Sequence, residues 1–169
     1  MSGTTPRLVH QREGINGNPQ GLLICFSHLR WNFVFQRPQH LITRAAKLFS
    51  VLFIEEPIFQ DNCRAHLDTK ITDGGVTIVT PILPGGLTPS ECIFIQRMLL
   101  DMLLEGHGGK PRIGSYYTPM ALHFSNHIKF DCVIYDCMDE LSAFKGAPAD
   151  LTCMEAKLMQ KADIMFTGG

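Results

Sequence analysis

The sequence has no surplus of charge of either sign. Fifteen basic and 16 acidic residues leave a net charge of -1. Proteins that grip nucleic acid by its phosphates concentrate lysine and arginine, so no nucleic-acid partner is expected. No run of like charges marks an acidic or basic tail. No apolar stretch reaches the ~20 residues that a membrane-crossing helix needs. Met1–Gln20 is polar and rich in glycine, proline and asparagine, without the apolar centre of a secretory leader. Residues 1–20 therefore read as a flexible tail, and 21–169 as one domain. The six cysteines, Cys25, Cys63, Cys92, Cys132, Cys137 and Cys153, show no C-x-x-C spacing. That argues against a zinc site or a disulfide framework and for a reducing, cytoplasmic setting.

Apolar residues make up 45% of the chain, enough for a substantial core. Gly21–Phe26 is a short continuous apolar run after a turn-rich segment, as in a strand buried on both faces. Pro38 opens a helix with Leu41, Ile42, Ala45, Ala46, Leu48 and Phe49 expected on its buried side. Val51–Ile54 is a second strand, followed by a poorly patterned stretch from Phe59 to Lys70. Gly74 and Gly75 introduce a third strand from Val76, continuing toward Pro84. Thr88 is placed to cap a helix through Leu103 whose methionines are expected in the core. Arg112–Tyr117 is a fourth strand, and Pro119 starts a short helix to about Ile128. Asp131–Tyr135 is a fifth strand, a helix spans about Leu151–Ala162, and Asp163–Phe166 is a sixth strand. This alternation specifies an α/β, Rossmann-like three-layer domain: a mostly parallel sheet of about six strands, helices on both faces. Ending directly after a strand suggests a truncated domain.

In such a sheet, ligands bind beyond the carboxyl ends of the strands. The loop after the first strand carries Ser27, His28, Arg30, Trp31 and Arg37. The guanidinium fork suits a diphosphate, a helix amino terminus favours anions, and tryptophan offers a flat face to a sugar or acyl chain. The alternative is a structural loop whose aromatics cap the sheet. This loop has no G-x-G-x-x-G, which disfavours a nicotinamide-dependent oxidoreductase. Tyr117 and Thr118 close the fourth strand on the same edge, as acceptor contacts or as packing. Asp136, Asp139 and Glu140 follow the fifth strand. They suit a base, a hydroxyl-orienting group or a partner for Arg30 or Arg37, and Asp139 and Glu140 equally suit a helix start. No metal is expected. Gly106–Lys110 imitates a phosphate loop but leads into a strand, with Pro111 where Ser or Thr is required. His123 and His127 are expected on an exposed helix face.

Phe26–Trp31, Gln36–Leu41, Tyr135–Phe144 and Ala162–Gly169, in that order, resemble motifs of bacterial glycosyltransferases related to the teichuronic-acid enzymes. That resemblance implies the amino-terminal, acceptor-side domain of a GT-B enzyme. Such an enzyme moves sugar from a nucleotide sugar to an envelope polysaccharide or lipid-linked acceptor. It implies that Ser27–Arg37 border the donor phosphates and that Asp136 and Asp139 lie near the reacting centre. The nucleotide sugar would be a substrate, with no resident cofactor. The implied partners are that donor, the acceptor, a carboxy-terminal domain of the same chain and the inner face of the membrane as a peripheral contact. The competing expectation is a lone Rossmann-like module that binds a ligand or protein without catalysis.

Overall fold

A computed structural model describes residues 19–34, 36–138 and 146–168. Its strands are β1 (Leu22–Phe26), β2 (Ser50–Ile54), β3 (Ile58–Gln60), β4 (His66–Ile71), β5 (Val76–Pro84), β6 (Arg112–Tyr116), β7 (Cys132–Cys137) and β8 (Ile164–Thr167). The helices are α1 (Arg37–Ala45), α2 (Pro89–Glu105), α3 (Leu122–Ser125, after a 3-10 turn at Pro119–Ala121) and α4 (Leu151–Lys161).

All eight strands form one sheet. β5 lies beside β2, β2 beside β1, β1 beside β6, β6 beside β7, and β7 beside β8, every pair parallel. β4 and β2 pair with the same stretch of β5, so they flank it on opposite sides. Ile82 pairs with both Ile58 of β3 and His66 of β4, so β3 prolongs the β2 side of β5. β4 is antiparallel and closes that edge. The chain first builds outward from β1 through β2 to β5. It then crosses through α2 to β6, on the other side of β1. Right-handed crossovers therefore lay helices on opposite faces before and after this reversal.

Alternate residues of β1 separate two cores. Leu22, Ile24 and Phe26 join Leu100 and Leu104 of α2, Leu122 of α3 and Leu158 of α4. Leu23 and Cys25 join Phe53 and Ile42 of α1. All five β1 residues are buried, which is why this strand reads as an unbroken apolar run.

About six strands were anticipated, and the described residues form eight. β3 has only three residues, and β4 (HLDTKI) is a largely exposed edge strand. Charged side chains suit an edge but erase the strand signature. Gly75, with φ of 81°, turns the chain from β4 into β5. On α1, Pro38, Gln39 and Ile42 are buried, whereas Leu41, and Leu48 just past the helix end, are exposed, contrary to the sequence expectation. Met98 and Met102 of α2 are likewise exposed; its buried residues are Leu99, Leu100 and Leu104. Helical spacing finds an apolar stripe but not which part of it meets the sheet.

Leu158 is fully buried and anchors α4, while its neighbour Met159 is 43% exposed. Leu158→Ala should cost roughly 2–5 kcal/mol through the cavity it leaves. Met159→Ala should stay within about 0.5 kcal/mol. Urea denaturation of both variants checks this, and comparable losses would contradict the packing described.

Candidate functional site

Five neighbouring strands share one level, where β1, β2 and β6 end while β5 runs on to Pro84 and β7 to Cys137. Tyr135, Tyr116, Phe26, Ile54 and Val79 lie in register across β7, β6, β1, β2 and β5. The next residue of each strand is polar: Asp136, Tyr117, Ser27, Glu55 and Thr80. The parallel ladder continues into this row, with Tyr117 N–H donating to Phe26 O (2.9 Å), Ser27 N–H to Ile54 O (3.0 Å) and Glu55 N–H to Val79 O (2.9 Å). All five residues are buried. A buried polar row at the carboxyl ends of parallel strands, centred where the strand order reverses, is where an open α/β sheet holds its ligand.

Glu55 organises one half of the row. One carboxylate oxygen accepts the Trp31 backbone N–H at 2.7 Å. The other accepts the Thr80 hydroxyl at 2.9 Å and the Arg30 guanidinium at 3.1 Å. Arg30 also donates to the carbonyls of Glu56 (2.6 Å) and Pro57 (3.3 Å). Gln39, buried on α1, donates to Trp31 O at 3.1 Å while its Oε1 accepts Gln36 N–H at 3.0 Å. The Trp31 ring stands edge-on to Phe53, 4.9 Å between centroids. Charged and apolar contacts thus pin the loop after β1 to β2, β5 and α1.

Asp136 organises the other half. Its Oδ1 lies 3.2 Å from Arg37 Nη2. That is ion-pair distance, but the N–H is not aimed at it, and Oδ1 has no hydrogen-bond partner. The Tyr117 hydroxyl lies near the carboxylate. Burial raises the Asp136 pKa above its ordinary 3.8, and Arg37 and the Tyr117 hydroxyl offset only part of that. Burial, Cys25 and Asp136 raise the Tyr117 phenol. A buried carboxylate that stays uncomfortable when ionised is a candidate for function rather than for stability.

The remaining predicted residues divide by role. The His28 ring donates from Nδ1 to Tyr117 O at 3.2 Å, joining the loops after β1 and β6. The Ser27 hydroxyl donates to Leu29 O (3.1 Å) and accepts Leu29 N–H (3.0 Å), so it shapes the loop. The Thr118 hydroxyl accepts Met120 N–H at 3.4 Å and starts the 3-10 turn. Arg30 and Arg37 both have carboxylate partners. Asp139 and Glu140 lie outside the described residues. Glu55 and Gln39 were not among the predicted site residues; their only sequence signals are a polar residue ending an apolar strand and a glutamine in an otherwise apolar stripe.

The opposite face of the same edge holds a cavity of about 520 Å³. It opens between the ends of β1 and β2, the first turns of α2, and α3. Phe26, Ile54, Phe59, Ile93, Met120 and Phe124 supply its apolar wall, and Ser27 and Thr118 touch it. His123, expected on an exposed helix face, instead lines this cavity, with Nε2 2.7 Å from Asp150 Oδ2. His127 is paired with Asp101 at 2.6 Å. Among the described residues, no group of three His, Cys, Asp or Glu is placed to hold a metal ion, and no helix is long and apolar enough to cross a membrane.

Strand order, crossover and rim define a doubly wound, Rossmann-like α/β domain of the kind found in GT-B glycosyltransferases. The chain is similar in fold to the Escherichia coli trehalose-6-phosphate structure bound with UDP-2-fluoro glucose. Identity is 13%, the TM-score is 0.52, and the match covers 86% of this chain and 39% of that one. It also matches an alpha,alpha-trehalose-phosphate synthase (UDP-forming) from Burkholderia xenovorans in complex with glucose-6-phosphate. There the identity is 9%, the TM-score 0.47, and the coverage 85% of this chain and 39% of that one. The chain thus spans about two fifths of the length of either structure. No protein-family model matches the sequence, and no curated protein matches it significantly.

Two measurements test the rim. Glu55→Ala leaves three donors without their acceptor and should cost about 3 kcal/mol. Trp31 is the only tryptophan, so its fluorescence should shift to the red as the loop loosens; unchanged emission and stability would refute the assigned role. For Asp136, the unfolded chain releases the carboxyl proton at lower pH than the folded chain. This group's contribution to stability is full below its unfolded pKa and declines as pH rises through the raised folded value. Asp136→Asn should flatten that decline and raise Tm at pH 7. A Tm–pH profile parallel to the parent would overturn the account.

Proposed function

We propose that this domain is the acceptor-side half of a GT-B glycosyltransferase, moving a sugar from a nucleotide sugar to an envelope polysaccharide or lipid-linked acceptor. The carrying observation is the buried polar row at the strand reversal, in a fold similar to one solved with UDP-2-fluoro glucose. The donor is a substrate rather than a resident cofactor. Its sugar and phosphates border the loop from Ser27 to Arg37, close to the amino terminus of α1. In this reading the enzyme is cytoplasmic and works against the inner face of the membrane, and a second domain of the same protein supplies most of the nucleotide contacts.

Two features support the assignment of roles. The Arg37 side chain is 43% exposed, so its guanidinium reaches solvent while holding Asp136. A guanidinium presents five donors, and those not facing Asp136 suit the oxygens of a departing diphosphate. Asp136 sits at the reacting centre, with Tyr117 and Arg37 setting its charge. Asp139 and Glu140 follow it three and four residues along the chain. In the transfer, the acceptor oxygen bonds to the anomeric carbon as the bond from that carbon to the diphosphate oxygen breaks. The electron pair leaves with the diphosphate, where positive groups stabilise it, and the acceptor proton passes to a base or to water.

A titration of the 169-residue chain with UDP-glucose, followed by NMR, tests this reading. The Trp31 indole, His28 and Tyr117 signals should move, and Arg37→Ala should weaken the response about tenfold. The isolated chain should release no UDP and transfer no glucose. Signals moving only elsewhere, or turnover by this chain alone, would defeat the proposal.

A further inference from the structure

We propose that the cavity between β1, β2, α2 and α3 seats an uncharged, apolar-bodied glycoside and discriminates against a phosphorylated sugar. The inference rests on reading this edge of the sheet as the acceptor side. It concerns the opposite face from the loop that would meet the donor.

The ionic lining comes first. The ionisable residues around the cavity are Glu55, Glu56, Cys92, His123 and Asp150; its lining includes no lysine or arginine. Arg30 is close by, but it is engaged by the Glu55 carboxylate and by the carbonyls of Glu56 and Pro57. His123 is paired with Asp150, so a proton gained by the ring is balanced by that carboxylate. Glu56 makes no ion pair among the described residues; His28 and Arg30 act on its charge from nearby without neutralising it by contact, so a phosphate entering here meets its carboxylate.

The amino terminus of α2 also borders the cavity, through Pro89, Cys92 and Ile93. Such an end normally attracts anions. Here Thr88 and Glu91 already cap it reciprocally. Glu91 accepts the Thr88 N–H at 2.8 Å and the Thr88 hydroxyl at 2.7 Å, and the Thr88 hydroxyl accepts Glu91 N–H at 3.3 Å. Pro89 brings no N–H at all. The carboxylate of Glu91 adds negative charge in the first turn of that helix, which weakens its pull on an anion.

The apolar lining points the same way. Phe26, Ile54, Phe59, Ile93, Met120 and Phe124 face a volume of about 520 Å³, inside the roughly 300–1,000 Å³ of small-molecule sites. Phe26 and Phe124 meet edge-to-face, 5.9 Å between centroids, which fixes the wall. The lining also holds a few polar groups, His123, Gln96 and Thr118, suiting a ligand that carries both hydroxyls and an apolar body. The His123 N–H that reaches Asp150 is Nε2, since a carboxylate only accepts; this leaves Nδ1 as the ring's acceptor for a hydroxyl.

The test uses the 169-residue chain and two probes, phenyl β-D-glucopyranoside and glucose 6-phosphate, with methyl NMR as the readout. The phenyl glucoside should shift the Ile54, Ile93 and Met120 methyl signals saturably, and glucose 6-phosphate should leave them in place. Ile93→Asp should weaken the glucoside at least about tenfold by placing a charge in the apolar wall. Glu56→Lys, at an exposed position, should create a response to glucose 6-phosphate without disturbing the fold. Glucose 6-phosphate binding the parent chain as tightly as the glucoside, or a glucoside that moves none of these methyls, overturns the inference. The UDP-glucose titration separates the two proposals. Loss of the Trp31 response with the glucoside response intact defeats only the donor reading, and the reverse defeats only this one.

Discussion

The architecture of the rim depends on a single acceptor, the Glu55 carboxylate. It terminates β2 and receives a backbone N–H from the loop after β1, a guanidinium from the same loop and a hydroxyl from β5. These donors come from segments up to 25 residues away in sequence. Each would be costly to bury alone, and an ionised acceptor gives shorter, stronger bonds than a neutral one. Because Glu55 is almost fully buried, the geometry of the loop is set from beneath. Trp31 is thereby held against Phe53 of β2, and His28 against the backbone after β6.

Asp136 is the counterpart that does not settle. Glu55 has its donors; Asp136 has an oxygen with none, in a site burial makes unfavourable for charge. The two carboxylates sit at the same level of one sheet, three strands apart, yet one stabilises structure and the other burdens it. A fold retains such a burden where a reaction or ligand uses it. The faces of the edge differ as well. The α1 face gathers charge and hydrogen bonds, and the α2–α3 face offers an apolar cavity. A transfer reaction between a charged donor and a neutral acceptor fits that partition.

Much of the fold was legible in the residues. The apolar runs of β1 and β2, the Gly-Gly entry to β5, Thr88 as the cap of α2 and Pro38 inside α1 all read correctly, because each signal is local. β4 did not, since an exposed edge strand carries the polar residues that elsewhere mean loop. Leu41 and Met102 did not, since a helix wider in its apolar stripe than its contact leaves part of it in water. His123 was misplaced for a related reason: its partner Asp150 is 27 positions away, and only the packing of α3 beside the start of α4 brings them together.

By itself, the sequence determined that parallel strands alternate with helices and that mixed chemistry collects just after β1, β6 and β7. Strand identity follows from local apolar pattern and turn residues, which a chain carries in its own order. Register does not. Only the tertiary structure decided that Ser27, Glu55, Thr80, Tyr117 and Asp136 form one row, that Arg30 and Arg37 go to different carboxylates, and that a cavity opens behind them. Those outcomes rest on which strands lie side by side and how far each is slid along its neighbour, and pairing at a distance leaves no mark on the residues between.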